Sequence, residues 1–236
     1  PPLSFGTSIH RALEAFYARK LPQPPTVDQL LQELYDAWDT SGFRGLDRDT
    51  QVHHYRFAQD VLRRFHAREA PRYRLPVSTE VWFELPLGDE AVVVGSIDRV
   101  DCDEDGTLAV VDYKTNRKVR DRSQVAGSLQ LALYALACEH LYGRLPGRVT
   151  LDFVVAGLQV TVPLAELDLT AARASALATA AAIRRGEHPP TPSRWCTWCD
   201  FRDLCPAWDG DGPDVLGPAT LEADLRAVSG DKSDKA

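Results

Sequence analysis

Leu108-Ala109-Val110-Val111-Asp112-Tyr113-Lys114 is an apolar run that ends in a carboxylate and an ammonium two residues apart. Residues i and i+2 of a strand share a face, so Asp112 and Lys114 are expected to project together. Gly95-Ser96-Ile97-Asp98-Arg99-Val100 likewise puts a carboxylate after an apolar run. Between them lies the turn-rich Asp103-Glu104-Asp105-Gly106, which reads as a hairpin connection. A three-residue loop, Glu104-Asp105-Gly106, with Gly106 left-handed, sets Asp98 opposite Asp112, their Cβ atoms about 5 Å apart. Carboxylates that close repel and raise each other's pKa unless a cation sits between them. A hard divalent ion such as Mg²⁺ or Mn²⁺ suits such oxygens, and Lys114 on the same face would assist an attacking water or offset charge on a phosphate. The alternative is a surface ladder of ion pairs among Asp98, Arg99 and Lys114, which is common for such residues taken singly.

Outward from this hairpin, the period changes. Val77, Thr79, Val81, Phe83 and Leu85 alternate with Ser78, Glu80, Trp82 and Glu84, which predicts a half-buried strand before the strands Ala91 to Cys102 and Thr107 to Lys114. Upstream, apolar residues recur at helical spacing: Ile9, Leu13, Phe16 and Tyr17 after Ser8, then Val27, Leu30, Leu31, Leu34, Tyr35 and Trp38 after Thr26, with Gln29 completing a capping box. A longer helix is expected over about Asp47 to Glu69, burying Val52, Tyr55, Val61, Leu62 and Phe65. Downstream, Ser123 to Tyr142 reads as one helix stopped by Gly143. A second hairpin, Val149 to Val155 and Leu158 to Val162, turns at Ala156-Gly157, and an Ala-rich helix runs from about Thr170 to Arg185. Helices, strands, a crossing helix, strands and a helix make an α/β domain with a mixed sheet.

The 236 residues carry 27 Lys and Arg against 34 Asp and Glu, a net charge of −7, with 44% hydrophobic and 26% charged residues. That is globular composition. No apolar run approaches the roughly 20 residues of a membrane span, and Pro1-Pro2-Leu3-Ser4 does not look like a signal peptide, so the expected location is cytoplasmic. The stretch from Pro206 to Ala236 holds seven acidic and three basic residues, leaving −3 over residues 1–205. A nucleic-acid groove is therefore not excluded, but it must be local or built around a metal ion. The residues after 206 are expected to form an acidic, poorly ordered tail.

His188 to Pro206 is rich in Pro, Trp and Cys and has no period. Cys196, Cys199 and Cys205 give C-x₂-C-x₅-C, a metal-site spacing in a chain of this type. His188 would complete a Cys₃His zinc site; Cys102, placed in the hairpin loop, and Cys138, in mid-helix, are expected to be ordinary residues.

The hairpin strands, read together, resemble motifs II and III of the PD-(D/E)XK nucleases, in the RecB/AddB-like branch that also holds the CRISPR-associated Fe–S exonucleases. Gly6-Thr7-Ser8-Ile9-His10-Arg11-Ala12-Leu13-Glu14 resembles the first motif of that branch, and Gln130-Leu131-Ala132-Leu133-Tyr134 its Q-x-x-x-Y motif. The resemblance runs from about Gly6 to Pro206. It implies a restriction-endonuclease-like α/β core: a central mixed sheet flanked by helices, an N-terminal helical part (about 6–70), a catalytic core (about 75–187) and a metal-clamped segment (188–206), followed by the tail 207–236. His10, Asp98 and Asp112 would hold Mg²⁺ or Mn²⁺, Lys114 would assist the attacking water, and Glu80 would stand just behind them. Gln130, Tyr134 and, from the basic stretch Asn116 to Arg122, Arg117 would contact DNA. The branch has a [4Fe–4S] cluster whose fourth Cys comes from upstream of the first motif, before Pro1 here, so that Cys196, Cys199 and Cys205 would bind a cluster, with Zn²⁺ the alternative. The implied function is metal-dependent deoxyribonuclease action, as an exonuclease on DNA ends or single strands in repair, recombination or CRISPR-type processing, with a helicase or other repair or CRISPR proteins as partners. The competing reading is a catalytically silent nuclease-fold DNA-binding or scaffold module that keeps the clamp. A third, a zinc-binding interaction domain, explains the cysteines and leaves Asp98, Asp112 and Lys114 without a role.

Overall fold

The computed structural model describes residues 2–193 and 196–208; the expected acidic tail lies outside the described residues apart from its first two positions. The chain divides into two compact units, Pro1–Ala180 and Ala181–Ala236.

Three helices come first: α1 (Pro2–Ala18), α2 (Val27–Asp36) and α3 (Arg48–Glu69). The capping box expected at Thr26 and Gln29 is formed, and Asp47 caps α3 through the Thr50 amide. Helix α1 starts well before Ser8. The Ser8 hydroxyl donates to the Ser4 carbonyl at 2.8 Å within the helix and accepts from the Asp39 amide at 2.9 Å, so it ties α1 to the α2–α3 connection instead of capping. Two residues expected in the core are outside it. Tyr35 is 67% exposed, because Leu30 and Leu34 form the whole buried stripe of α2. Val52 is 38% exposed, because the buried stripe of α3 begins only at Ala58.

The sheet follows with β1 (Ser78–Leu87), β2 (Ala91–Cys102) and β3 (Leu108–Lys114). Helices α4 (Arg122–Ala126) and α5 (Leu129–Tyr142) then cross to β4 (Arg148–Phe153) and β5 (Leu158–Pro163). Strand order is β1-β2-β3-β4-β5, antiparallel except for the parallel β3–β4 pair. The expected single helix 123–142 is two. The Ser128 hydroxyl accepts from the Leu131 amide and restarts the helix as its N-cap, the competition for backbone donors that favours serine at such positions. Val154 and Val155 belong to the turn after β4, where Gly157 has φ +72° and its amide returns to Phe153. Cys102 closes β2, paired with Leu108, and is not in the loop.

β3 supplies both faces of the sheet. Leu108 and Val110 join the cluster under α5, with Phe83, Leu85, Ile97, Val149 and Leu151. Val111 and Tyr113 join the cluster formed by α1, α2 and α3 around Phe16, Leu34 and Phe65. The N-terminal helices and α5 thus cover opposite faces, as period-2 alternation requires. Helix α6 (Leu169–Arg184) rests Leu169, Ala176 and Leu177 against the α5 cluster.

Candidate metal centre

The Glu104-Asp105-Gly106 loop forms with Gly106 at φ +85°, and the pairs Cys102↔Leu108 through Arg99↔Val111 set the register. One step further puts Asp98 opposite Asp112, where the ladder ends. The β1–β2 ladder also has a gap at this level. Thr79↔Arg99 and Val81↔Ile97 pair, the Glu80–Asp98 step between them does not, and Glu80 stands at φ +44°. Ile97 and Val100 both lie in the α5 cluster although three residues apart. An unbroken strand would send them to opposite faces, so the alternation breaks here, although the register is the same on both sides of the gap. A non-glycine residue with left-handed backbone costs on the order of 1 kcal/mol or more and persists where the surroundings dictate it.

What collects in this gap is a donor set. From α1, His10 Nδ1 lies 3.6 Å from Asp98 Oδ2 and 3.9 Å from Glu80 Oε1. One ligand atom from each of these three residues falls within 4.8 Å of the others. Burial alone would lower the imidazole's pKa, but Asp98 and Glu80 outweigh it and push it up to about 10. Asp98 is held from behind, its Oδ2 accepting from the Tyr113 amide at 2.6 Å. The Ser96 hydroxyl donates to Glu80 at 3.2 Å. Glu80 therefore stands level with His10 and Asp98, closer to the donor set than its expected place behind them.

Asp112 meets Lys114 at 2.5 Å, and its carboxyl is pushed up to about 6 by burial and by Asp98, against the pull of Lys114. Lys114 Nζ also donates to Gln130 Oε1 at 3.1 Å, and Gln130 Nε2 to the Tyr134 hydroxyl at 2.8 Å. Burial, with Asp112 adding to it, pushes the Tyr134 phenol up to about 12. The four residues from β3 and α5 thus form one polar chain beside the three donors. The surface ion-pair ladder does not form: Asp98 and Asp112 are buried, and Arg99 is buried on the other side, donating to the Tyr17 and Tyr113 hydroxyls at 2.7 and 2.8 Å and pairing with Asp101 at 3.1 Å.

The donor set fits a hard divalent cation, since one imidazole and two carboxylates converge from three elements, and the acids that hold a proton on His10 would favour an ion in its place. Gly6 lets α1 approach this closely: a Cβ there would stand 3.1 Å from Thr115 Oγ1.

Arg117 lies over the Phe57 ring at 5.0 Å, whereas Arg122 is committed to Glu166 and the Thr161 carbonyl. In the second unit, Cys196, Cys199 and Cys205 line one cavity of about 160 Å³ with Pro190, Pro192 and Trp208. His188 is exposed and is not among its walls. Sequence reasoning missed the roles of Arg99, Ser96 and the Tyr113 amide; a cation following Asp98 in a buried strand was the one available signal.

This chain is 30% identical over 145 residues to an ATP-dependent helicase/deoxyribonuclease subunit of Streptococcus pyogenes serotype M49 (strain NZ131), covering 58% of the chain and 13% of that protein. The same figures hold for the helicase/deoxyribonuclease subunits of the same name from serotype M4 (strain MGAS10750) and serotype M1. The chain thus spans about an eighth of the length of these relatives. A family model described as the PD-(D/E)XK nuclease superfamily matches residues 1–206, taking in α1 with His10, the broken ladder and the cysteine segment, and with that match the chain belongs to the PD-(D/E)XK nuclease superfamily.

Proposed function

We propose that this protein is a Mg²⁺- or Mn²⁺-dependent deoxyribonuclease that hydrolyses phosphodiester bonds as an exonuclease on DNA ends or single strands. The observation that carries this is the meeting of His10, Glu80 and Asp98 with the Asp112–Lys114–Gln130–Tyr134 chain at the sheet break. His10, Glu80 and Asp98 would hold the cation, with Asp112 contributing from β3. When bound, the ion supplies Lewis-acid stabilisation of the charge that builds on the phosphate. Lys114, fixed between Asp112 and Gln130, orients the attacking water and balances negative charge. Tyr134 fixes Gln130 in turn. Arg117 would steer the phosphate backbone, a local cation in an acidic chain.

Cys196, Cys199 and Cys205 would bind a [4Fe–4S] cluster with a fourth ligand upstream of Pro1; their thiol set and shared cavity suit it. A helicase partner is supported by the name of the helicase/deoxyribonuclease relatives, and with such a partner the protein would serve in repair or recombination. No described helix is long and apolar enough to cross a membrane.

The test is cleavage of end-labelled linear and circular single-stranded DNA by the full chain, with and without Mg²⁺ or Mn²⁺. Cation-dependent degradation of linear DNA, lost in Lys114→Ala with an unchanged circular-dichroism spectrum, is the expected result. Equal cleavage by Lys114→Ala overturns the assignment. Cation-dependent cutting of circles removes the exonuclease part.

A further inference from the structure

On the far side of the break, β1 and β2 continue as a two-stranded arm. Its inner face is apolar and covered: Val81, Phe83, Leu85 and Leu87 pack in the α5 cluster. Phe83 stands edge-on to Tyr134 at 5.9 Å, and its ring occupies the space over Gly95, where a Cβ would come within 2.8 Å. That packing locks the alternation of the arm. The other face must then carry Trp82, Glu84, Val94 and Val92, of which Trp82 is 60% exposed, Val94 56% and Val92 58%. Trp82 is the large aromatic among them, fixed on a rigid strand.

Its place relative to the donor set is given by the ladder. Trp82 pairs with Ser96, and cross-strand partners share a face. The Ser96 hydroxyl donates to Glu80. Trp82 therefore adjoins the donor set through one intervening side chain, about two strand residues, or roughly 6.5 Å of strand, from Glu80. The surroundings are acidic: Glu84 lies on the same face, and Glu14 of α1 is close enough to Glu80 to have its own carboxyl pushed up, by burial first and Glu80 second. Arg11 of α1 pulls the other way on Glu14, so among the described residues here the acids outnumber the cations. A neutral, flat ring finds an exposed indole.

We propose that Trp82 is a stacking platform for a base of single-stranded DNA lying next to the phosphate held at the His10–Glu80–Asp98 site. The proposal rests on the nuclease reading and deepens it, making the substrate of that site a strand with unstacked bases. A duplex keeps its base faces covered by their neighbours, whereas a single strand can offer one to the indole. Every base has a π-face, so the contact is indifferent to sequence. Selection for single strands would thus come from an aromatic side chain beside the metal ligands.

The test measures binding of the full chain to a fluorescent oligothymidylate, in a Lys114→Ala background with EDTA so that the strand survives. Base–aromatic stacking predicts a loss of roughly 5- to 150-fold in affinity for Trp82→Ala and little loss for Trp82→Phe. Scanning a single abasic position along the oligonucleotide should find one place where the abasic strand binds Trp82→Ala and the Trp82 protein alike. Equal affinity of Trp82→Ala and Trp82 proteins for the intact strand overturns the platform. A Trp82→Ala chain that instead changes its oligomeric state, with DNA affinity unaltered, assigns the face to a second copy and also overturns it. A chain with Lys114 intact that neither binds nor cleaves DNA removes the nuclease reading itself, a separate result from failure at Trp82.

Discussion

Asp112→Asn should make the metal-free protein more stable. The carboxyl sits 2% exposed, and its pKa is raised from 3.8 to about 6 by burial and Asp98, with Lys114 only partly compensating. A group whose folded-state pKa is raised holds its proton more tightly in the folded state, so the folded form carries a penalty once the group must ionise. That penalty is absent below about pH 4, grows as pH rises through the folded value, and is complete above it. The displacement of about two pH units corresponds to about 3 kcal/mol at pH 7.5 and about 1 kcal/mol at pH 4.5. Asparagine keeps the shape and removes the ionisation, so urea denaturation in EDTA should show the variant ahead by that order at pH 7.5, with the gap closing toward pH 4.5. Adding Mg²⁺ at about a thousand times its Kd should reverse the ranking, because at that level a ligand contributes about 4.1 kcal/mol to the protein that binds it. A less stable Asp112→Asn protein at pH 7.5 in EDTA would refute the reasoning, since the Lys114 pair would then outweigh the burial.

Cys199→Ser should lower the melting temperature of the reconstituted protein well below that of Cys138→Ser, because a lost ligand frees the cysteine segment; equal melting temperatures, read calorimetrically, would show that no metal is bound there. Arg117→Ala should weaken DNA binding and reduce the slope of log affinity against log salt by about one unit, with no change in sequence preference; an unchanged slope moves the backbone path elsewhere. Gly6→Ala should leave thermal stability near its starting value, as better helix propensity offsets crowding against Thr115, yet slow cleavage by lifting His10 away from Asp98. Unaltered rates in that variant would mean that α1 does not set the donor distances.

Much of the site could be read from local pattern. The hairpin loop length and Gly106 determined the register that brings Asp98 and Asp112 together, parity put Lys114 beside Asp112, and one helical turn joined Gln130 to Tyr134. What escaped was whatever breaks a pattern. Alternation assumes an uninterrupted strand, so it treated Glu80 as a solvent-side residue and gave no sign of its left-handed backbone or of the gap opposite Asp98. The bond from the Tyr113 amide to Asp98 replaces a ladder bond with a side chain, which no periodicity encodes. Helical spacing likewise says which positions share a face but not how far the neighbouring helix reaches, hence the exposure of Tyr35 and Val52. Arg99 could be recognised as a cation, but its burial between two phenols depends on Tyr17, eighty-two residues away.

The donors belong to separately built walls. His10 rides on a helix seated in one hydrophobic cluster, while Gln130 and Tyr134, which brace Lys114, ride on a helix seated in the other; the sheet is the partition between them. Chemistry at the break therefore requires both clusters to be closed at once, and neither alone assembles the set. In synthesis order, His10 leaves the ribosome long before Gln130, so a partly made chain carries histidine and acids without the brace. On the proposed reading, a chain built this way would cut nothing until almost the whole core has formed.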